Sequence, residues 1–357
     1  MSVGTKLFYK DKPVFGFDIG KSSLKIMQIT QQSKGAVVEG YGTIAFDPKA
    51  IKNGAIDDPE AVIKAAHELI ENQLVGKLTT SSVAVSLPNA YSFNRILSLP
   101  KMDEKDLAAA VALEAGQSIP LPIDELYYDF AVTKSLDDDT QEVQLAACPK
   151  RIVDSYMGVF EALGLEVGLV ESNITAVTRM VTHAEAHDVT TLIVDFGSTA
   201  CDLSIFDGAT IRVTSTVDCS GDAITKLIAN KLGLTEQQAH SVKTRYGLEV
   251  SKKQGAIIEA IEPELTKLTN EIRKVIRYFT ERNEGKNQIG QIIVLGGGAN
   301  LPGLSGYITD KARIPARLCA PWNHLSFEKL QPPHELETTL YTTAGGLSLV
   351  TAKDLRL

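Results

Sequence analysis

The chain has 357 residues, 44% hydrophobic and 22% charged, with a formal net charge of −8, a profile that suits two domains or four compact subdomains with substantial cores. This acidic balance leaves no general attraction for nucleic acid or anionic lipid, and no stretch reaches the roughly 18 apolar residues of a membrane span. Four scattered cysteines, Cys148, Cys201, Cys219 and Cys319, make no Cys-x-x-Cys pair, which argues against zinc and disulfides and for buried thiols in a reducing cytoplasm.

The opening MSVGTKLFYKDKP, with Lys6, Lys10 and Lys12, lacks a signal-peptide core, and the closing TAKDLRL is too short for an amphipathic anchor. From Gly16, GFDIGKSSLKIMQI reads as strand, tight turn and strand. Asp58 to Gly76 has the 3.6-residue period of a helix through Val62, Ile63, Ala66, Leu69, Ile70 and Leu74. Two short strands follow, split at Pro88 and Asn89, then a helix opened by Asp103 and stopped before Pro120. A hairpin with an acidic, solvated tip at Asp137 to Asp139 and a helix from Arg151 to Leu163 complete what reads as an inserted α+β unit.

IVDFGSTACDLSIF, from Ile193, then repeats the opening pattern about half the chain later, a spacing that predicts two related lobes with a cleft between them. Helices are expected after CSGD, over Thr235 to Thr244, and over Gly255 to Arg282 with a break near Pro263. QIIVLGGGANLPGL reads as a buried strand, a glycine turn and a helix start. Strands ending in polar loops with helices between them make the fold α/β.

In each hairpin, glycine and small hydroxyl residues let backbone N–H groups approach an anion: Gly20, Ser22 and Ser23 in the first, Gly197, Ser198 and Thr199 in the second. Asp18 and Asp195 would repel polyphosphate unless a hydrated divalent cation lay between them. Lys25, on the outgoing strand, could reach phosphate as a point charge. A single such motif reads equally as an ordinary turn; two of them facing a cleft read as a clamp. Gly296, Gly297 and Gly298 clear space for a base and ribose, with Asn300 adding an amide. This turn is neither a dinucleotide fingerprint nor a P-loop. Glu171, expected near a helix start where the halves meet, could orient a water toward a terminal phosphate or be an ordinary helix-start carboxylate. Arg273 and Lys274 could flank adenine or lie on a solvated helix face.

Taken in order, FDIGKSSLK, VESNITAV, VDFGSTACDL and LGGGANLPGL resemble the phosphate-1, connecting, phosphate-2 and adenosine motifs of the actin-like ATPase superfamily. The segment from Thr79 to Leu163 is similar to the 1C subdomain shared by the FtsA and PilM families. LEAGQSIPLPIDELYYDF, AACPKRIVDSYMGVFEALGLEVGLVES, GDAITKLIA and EIRKVIRYF resemble the PilM family of type IV pilus assembly proteins. The resemblance implies an actin-like duplicated two-lobed α/β fold with an inserted α+β 1C subdomain. Its divisions would be 1A at 1–78 and 164–188, 1C at 79–163, 2A at 189–219 and 289–357, and 2B at 220–288.

It further implies ATP and Mg2+ as cofactors. Asp18 and Asp195 would hold the metal through water. Gly20, Lys21, Ser22, Ser23 and Lys25 would form the first phosphate loop, Gly197, Ser198 and Thr199 the second. Gly296, Gly297, Gly298 and Asn300 would form the adenosine turn, with Gly221 in a partly retained Gly-Gly-Asp turn. Glu171 would be the hydrolytic helper of an at most slow ATPase. The implied partner is the cytoplasmic N-terminal tail of PilN, bound in a groove between 1A and 1C, with links to pilus motor ATPases and the platform protein. The protein would then be cytoplasmic, reaching the inner membrane only through partners. Two alternatives come from the same superfamily: an FtsA-like membrane-associated cell-division filament, against which the short tail weighs, and an acetate- or sugar-kinase-type phosphotransferase, against which the lack of an acceptor pocket weighs.

Overall fold

The computed structural model describes residues 13–351 apart from 34, 136–138, 186–188, 209, 250–253 and 284–286. Lys6, Lys10, Lys12, Asp137, Asp138 and residues 352–357 therefore lie outside the described residues. The chain opens with β1 (Phe15–Ile19), β2 (Ser23–Gln32) and β3 (Gly35–Ala45), followed by α1 (Pro59–Asn72). Asp58 caps α1 by accepting from Ala61 N at 3.1 Å, and the helix stops short of the expected Gly76 as Val75–Gly76 pairs with β3.

Next come β4 (Ser82–Leu87) and β5 (Phe93–Pro100), joined through a short 3-10 turn at Asn89–Tyr91, then α2 (Glu104–Ser118) capped by Asp103. The hairpin of β6 (Leu126–Ser135) and β7 (Thr140–Pro149) leads to α3 (Lys150–Ala162), β8 (Glu166–Ser172) and α4 (Asn173–Ala184). The second half holds β9 (Thr191–Phe196), β10 (Cys201–Asp207), β11 (Thr210–Val217), α5 (Gly221–Leu232), α6 (Glu236–Tyr246) and α7 (Gln254–Arg282). It ends with β12 (Gln291–Leu295), α8 (Leu304–Ala312), β13 (Ala316–Leu318), β14 (Leu325–Ser326) and α9 (Thr342–Ser348).

The duplication is visible in strand order. One sheet runs β8-β4-β1-β2-β3, the other β13-β12-β9-β10-β11. In both, a central strand pairs antiparallel with its successor and parallel with a strand that returns after a crossover. Each central strand is covered on both faces: Phe15 and Phe17 in β1 and Leu192, Val194 and Phe196 in β9 are fully buried on one face, while on the other Gly16 lies against Ala344 of α9 and Ile193 is buried. Phe17 meets Phe160 of α3 edge-on at 5.1 Å, the favourable geometry for paired rings. β5, β7 and β6 form a separate three-stranded sheet with α2 packed on one face through Leu107, Val111 and Ala115.

Two expectations are corrected. Pro263 does not break α7, which is continuous from Gln254 to Arg282. Ile257, Ile261, Leu265 and Leu268 are fully buried on both sides of the proline, and this packing outweighs the one backbone bond that proline removes. Nor does the whole of 289–357 stay with the second lobe. β14 pairs with β3 at Leu325↔Ala36, and α9 lies under the first sheet, where Leu347 packs with Val14, Ala84 and Ala176. No described helix is long and apolar enough to cross a membrane.

Candidate functional site

β1 and β9 end at a common cleft, the position where α/β sheets place ligands. Each passes into the same turn: Gly20 N donates to Ser23 O and Gly197 N to Ala200 O, both at 3.0 Å. Asp18, Gly20, Lys21, Ser22, Ser23 and Lys25 line one side of a cavity of about 460 Å3, and Asp195, Gly197, Ser198 and Thr199 the other, with Gly296 and Gly297 at its end. The volume suits a ligand of nucleotide size. Gly296 has φ +84°, and a Cβ there would lie 2.4 Å from Asp195 Oδ1, so only glycine fits without displacing that carboxylate.

Several expected residues stand elsewhere. Gly221, Gly298 and Asn300 do not line the cleft. Gly221 braces it instead: its N–H donates to Gly197 O at 3.0 Å, and its carbonyl accepts from Lys243 Nζ at 2.9 Å. Burial lowers the pKa of Lys243. A Cβ on Gly298 would meet the Phe196 ring at 2.8 Å, which makes that glycine a packing requirement. Asn300 donates to Leu336 O. Lys21, although it lines the cleft, donates to Ile51 O. Arg273 donates to Lys311 O at 3.2 Å, and Lys274 pairs with Glu271 at 3.1 Å. Glu171 is the penultimate residue of β8, before α4 begins, and forms a two-point ion pair with Arg179 at 2.6 and 2.8 Å. It borders a different cavity.

The connecting-helix residue that does enter the cleft is Asn173. Its Nδ2 donates to Asp202 Oδ2 at 3.1 Å, and Asp202 Oδ1 accepts from Asn89 Nδ2 at 3.3 Å and Thr216 Oγ1 at 2.5 Å. Asp18 accepts from Ser86 at 2.8 Å and from Lys25 at 3.1 Å. Ser86, Asn89, Thr216 and Asp202 escaped sequence reading. Asp202 alone left a signal, because it occupies in the second repeat the place of Lys25 in the first.

Electrostatically the cleft is short of positive charge. Burial, then Asp202 and Asp18, push Asp195 up to about 7 against the pull of Lys25. Burial also raises Asp202, against hydrogen bonds from Thr216, Asn173 and Asn89. Among the described residues no group of three or more His, Cys, Asp or Glu side chains could hold a metal ion directly. Asp18 and Asp195 are carboxylates of the kind that accept hydrogen bonds from the waters of a hydrated divalent cation.

The second cavity, about 490 Å3, lies between the inserted sheet and the β8–α4 junction. Tyr127, Tyr128 and Phe130 of β6 line it together with Val153, Leu169 and Val170. Tyr127 and Tyr128 are 48% and 39% exposed, and β6 is an edge strand, a combination suited to an extended peptide.

The family model for type IV pilus assembly protein PilM matches residues 16–352. Cell division protein FtsA of Escherichia coli (strain K12) is 23% identical, covering 94% of this chain and 89% of FtsA. Among solved structures, the PilM-PilN type IV pilus biogenesis complex matches at TM-score 0.81 and 25% identity, covering 95% of this chain and 98% of that one. Ethanolamine utilization protein EutJ from Carboxydothermus hydrogenoformans matches at TM-score 0.58 and 15% identity, over 96% and 90% of the two chains. MreB 5 of Spiroplasma citri bound to AMPPNP matches at TM-score 0.56 and 11% identity, over 95% of each. The last two share the fold alone, and the expected actin-like architecture is borne out.

Proposed function

Since the chain belongs to the type IV pilus assembly protein PilM family, we propose that it is an ATP-binding adaptor of the pilus machinery. In this reading it holds Mg-ATP between its twin hairpins and a PilN-type cytoplasmic N-terminal tail in the groove beside β6. The observation that carries the proposal is the convergence of both Asp-x-Gly turns on one cavity, supported by the likeness to a PilM-PilN complex. Gly20, Ser22, Ser23, Gly197, Ser198 and Thr199 would cradle phosphate, and Asp18 and Asp195 would orient the waters of Mg2+. The cation would supply neutralisation of the clustered charge. Glu171 is held by Arg179 outside the cleft, so the protein is proposed to bind nucleotide with at most slow turnover.

The groove would take an extended segment whose apolar side chains pack on Tyr127, Tyr128 and Leu169. Through that segment the protein would sit, from the cytoplasm, at the inner membrane and link it to the motor ATPases and platform protein. Calorimetry with a synthetic peptide copying the cytoplasmic tail of PilN from the same genome tests the reading. A Kd of about 10 µM or tighter is expected; no heat of binding in either the presence or the absence of Mg-ATP overturns it.

A further inference from the structure

A third cavity, about 670 Å3, lies between the inserted sheet, β11 and α7. It has no lining residue in common with the cleft between the hairpins, and only Ser92 and Asn94 in common with the groove beside β6. Two of its walls are open strand edges. β5 ends the three-stranded sheet and β11 ends the five-stranded one. Each lines the cavity with consecutive residues, Phe93 to Ile96 from β5 and Arg212 to Ser215 from β11. Successive side chains of a strand point to opposite faces, so consecutive lining residues mean that the backbone edge itself borders the space. Such an edge offers N–H and C=O groups at the spacing of a further strand. Four residues of strand run about 13 Å, which is room for an extended segment of similar length.

The charge of this cavity is opposite to that of the whole molecule. Five cations, Arg95, Lys134, Arg212, Lys274 and Arg282, line it with three acids, in a chain of net charge −8. Each acid is answered within the lining. Glu142 accepts from Arg212 at 2.6 Å and meets Lys134 at 3.6 Å. Glu271 pairs with Lys274 at 3.1 Å and accepts from Ser215 at 2.6 Å, and Asp207 accepts from Asn287 at 2.7 Å. Two guanidinium groups remain. Arg95 stands exposed on β5 with no carboxylate partner among the described residues, and Arg282 lies over the Tyr278 ring, donating to its hydroxyl at 2.6 Å. Between these charges Ile96, Val213 and Tyr278 supply apolar surface, the tyrosine being 43% exposed.

We propose that this cavity docks an extended acidic segment of a partner protein, one that alternates carboxylates with apolar side chains. Its backbone pairs with an open strand edge, its carboxylates reach Arg95 and Arg282, and its apolar side chains pack on Ile96, Val213 and Tyr278. Nucleic acid fits less well, because the three acids of the lining would repel an unbroken chain of phosphates. The start of this chain, with Lys6, Lys10 and Lys12, has the wrong sign to fill the cavity itself.

Fluorescence polarisation of the full chain with a short labelled peptide alternating glutamate and valine tests this. At low salt a Kd of about 100 µM or tighter is expected, and a peptide with lysine in place of glutamate should not bind. Combining Arg95→Glu with Arg282→Glu should weaken binding by about 10-fold or more, and Arg95→Ala alone should act in the same direction if the double variant folds poorly. Hydrogen–deuterium exchange should slow at β5 and β11 when the acidic peptide is bound. No binding, equal binding of the lysine peptide, or undiminished binding in both variants overturns the proposal. Protection confined to β6 also overturns it, by placing the peptide in the other groove. A single-stranded oligonucleotide that displaces the peptide at lower concentration than the unlabelled peptide does would overturn it in favour of nucleic acid. Self-association of the wild type that the double variant abolishes in sedimentation would overturn it in favour of a second copy of this chain.

Discussion

At the end of β1, Asp18 stands in register with Lys25 and is bonded to it at 3.1 Å. At the end of β9, Asp195 stands in register with Asp202, a second acid. The backbone turn is the same and the charge opposite it is reversed. The Asp18–Lys25 pair is neutral, whereas at the second hairpin burial first, and the neighbouring acids next, push Asp195 up to about 7. In the proposed reading the two copies would differ in emphasis: Lys25 would add positive charge for phosphate on the first side, and Asp195 would depend most on the cation on the second.

The severest way to break this division is Asp195→Ala, which should weaken Mg-ATP binding by about 100-fold or more in calorimetry, roughly 3 kcal/mol; unchanged stoichiometric binding would sink the assignment. Gly296→Ala comes next. Its added Cβ, at φ +84° and 2.4 Å from Asp195 Oδ1, should cost about 1–3 kcal/mol in thermal or denaturant unfolding and weaken nucleotide binding as Asp195 is displaced.

A pH titration sharpens the contrast. A carboxyl with a raised folded-state pKa keeps its proton in the native protein after the unfolded chain has released it. The stability it contributes is full below the ordinary carboxylate range and is lost as pH rises through about 7. A cation needs the ionised form, so its binding should run the other way. Mg-ATP affinity should be about 10-fold weaker at pH 6 than above pH 8, with proton release at neutral pH visible as a buffer-dependent heat. Asp202→Asn should move that profile to lower pH by removing the largest neighbouring charge, whereas a flat profile would show that Asp195 does not face the ligand.

How much of this was legible in the sequence follows from how local each feature is. The Asp-x-Gly turns are contiguous and repeat, so they could be read. Ser86 and Thr216 reach the cleft from β4 and β11, and Asn89, in the turn after β4, bonds to its Asp202; no spacing announces that. Glu171 was misplaced by a boundary of two residues: α4 starts at Asn173, and a carboxylate at the end of the preceding strand faces the groove instead of the cleft. The return of the chain to the first lobe was hidden because its pairing strand, Leu325–Ser326, is too short to carry a period.

The smallest effect is expected where the two turns differ in sequence but not in function. Lys21 occupies the place that Ser198 holds in the second repeat, and its charge suggests a phosphate contact. In the structure, however, its ammonium donates to the carbonyl of Ile51, on the chain that leads toward α1, so it fastens the first turn to its own lobe. A cation already engaged by a carbonyl gains little by moving to phosphate, because the new contact replaces an old one. Lys21→Ala should therefore change Mg-ATP affinity by less than about 3-fold, while Lys25→Ala, which also frees the charge of Asp18, should cost about 10-fold or more. If calorimetry finds the reverse order, the phosphate-facing cation of the first hairpin is Lys21, and the pairing of Lys25 with Asp18 is structural.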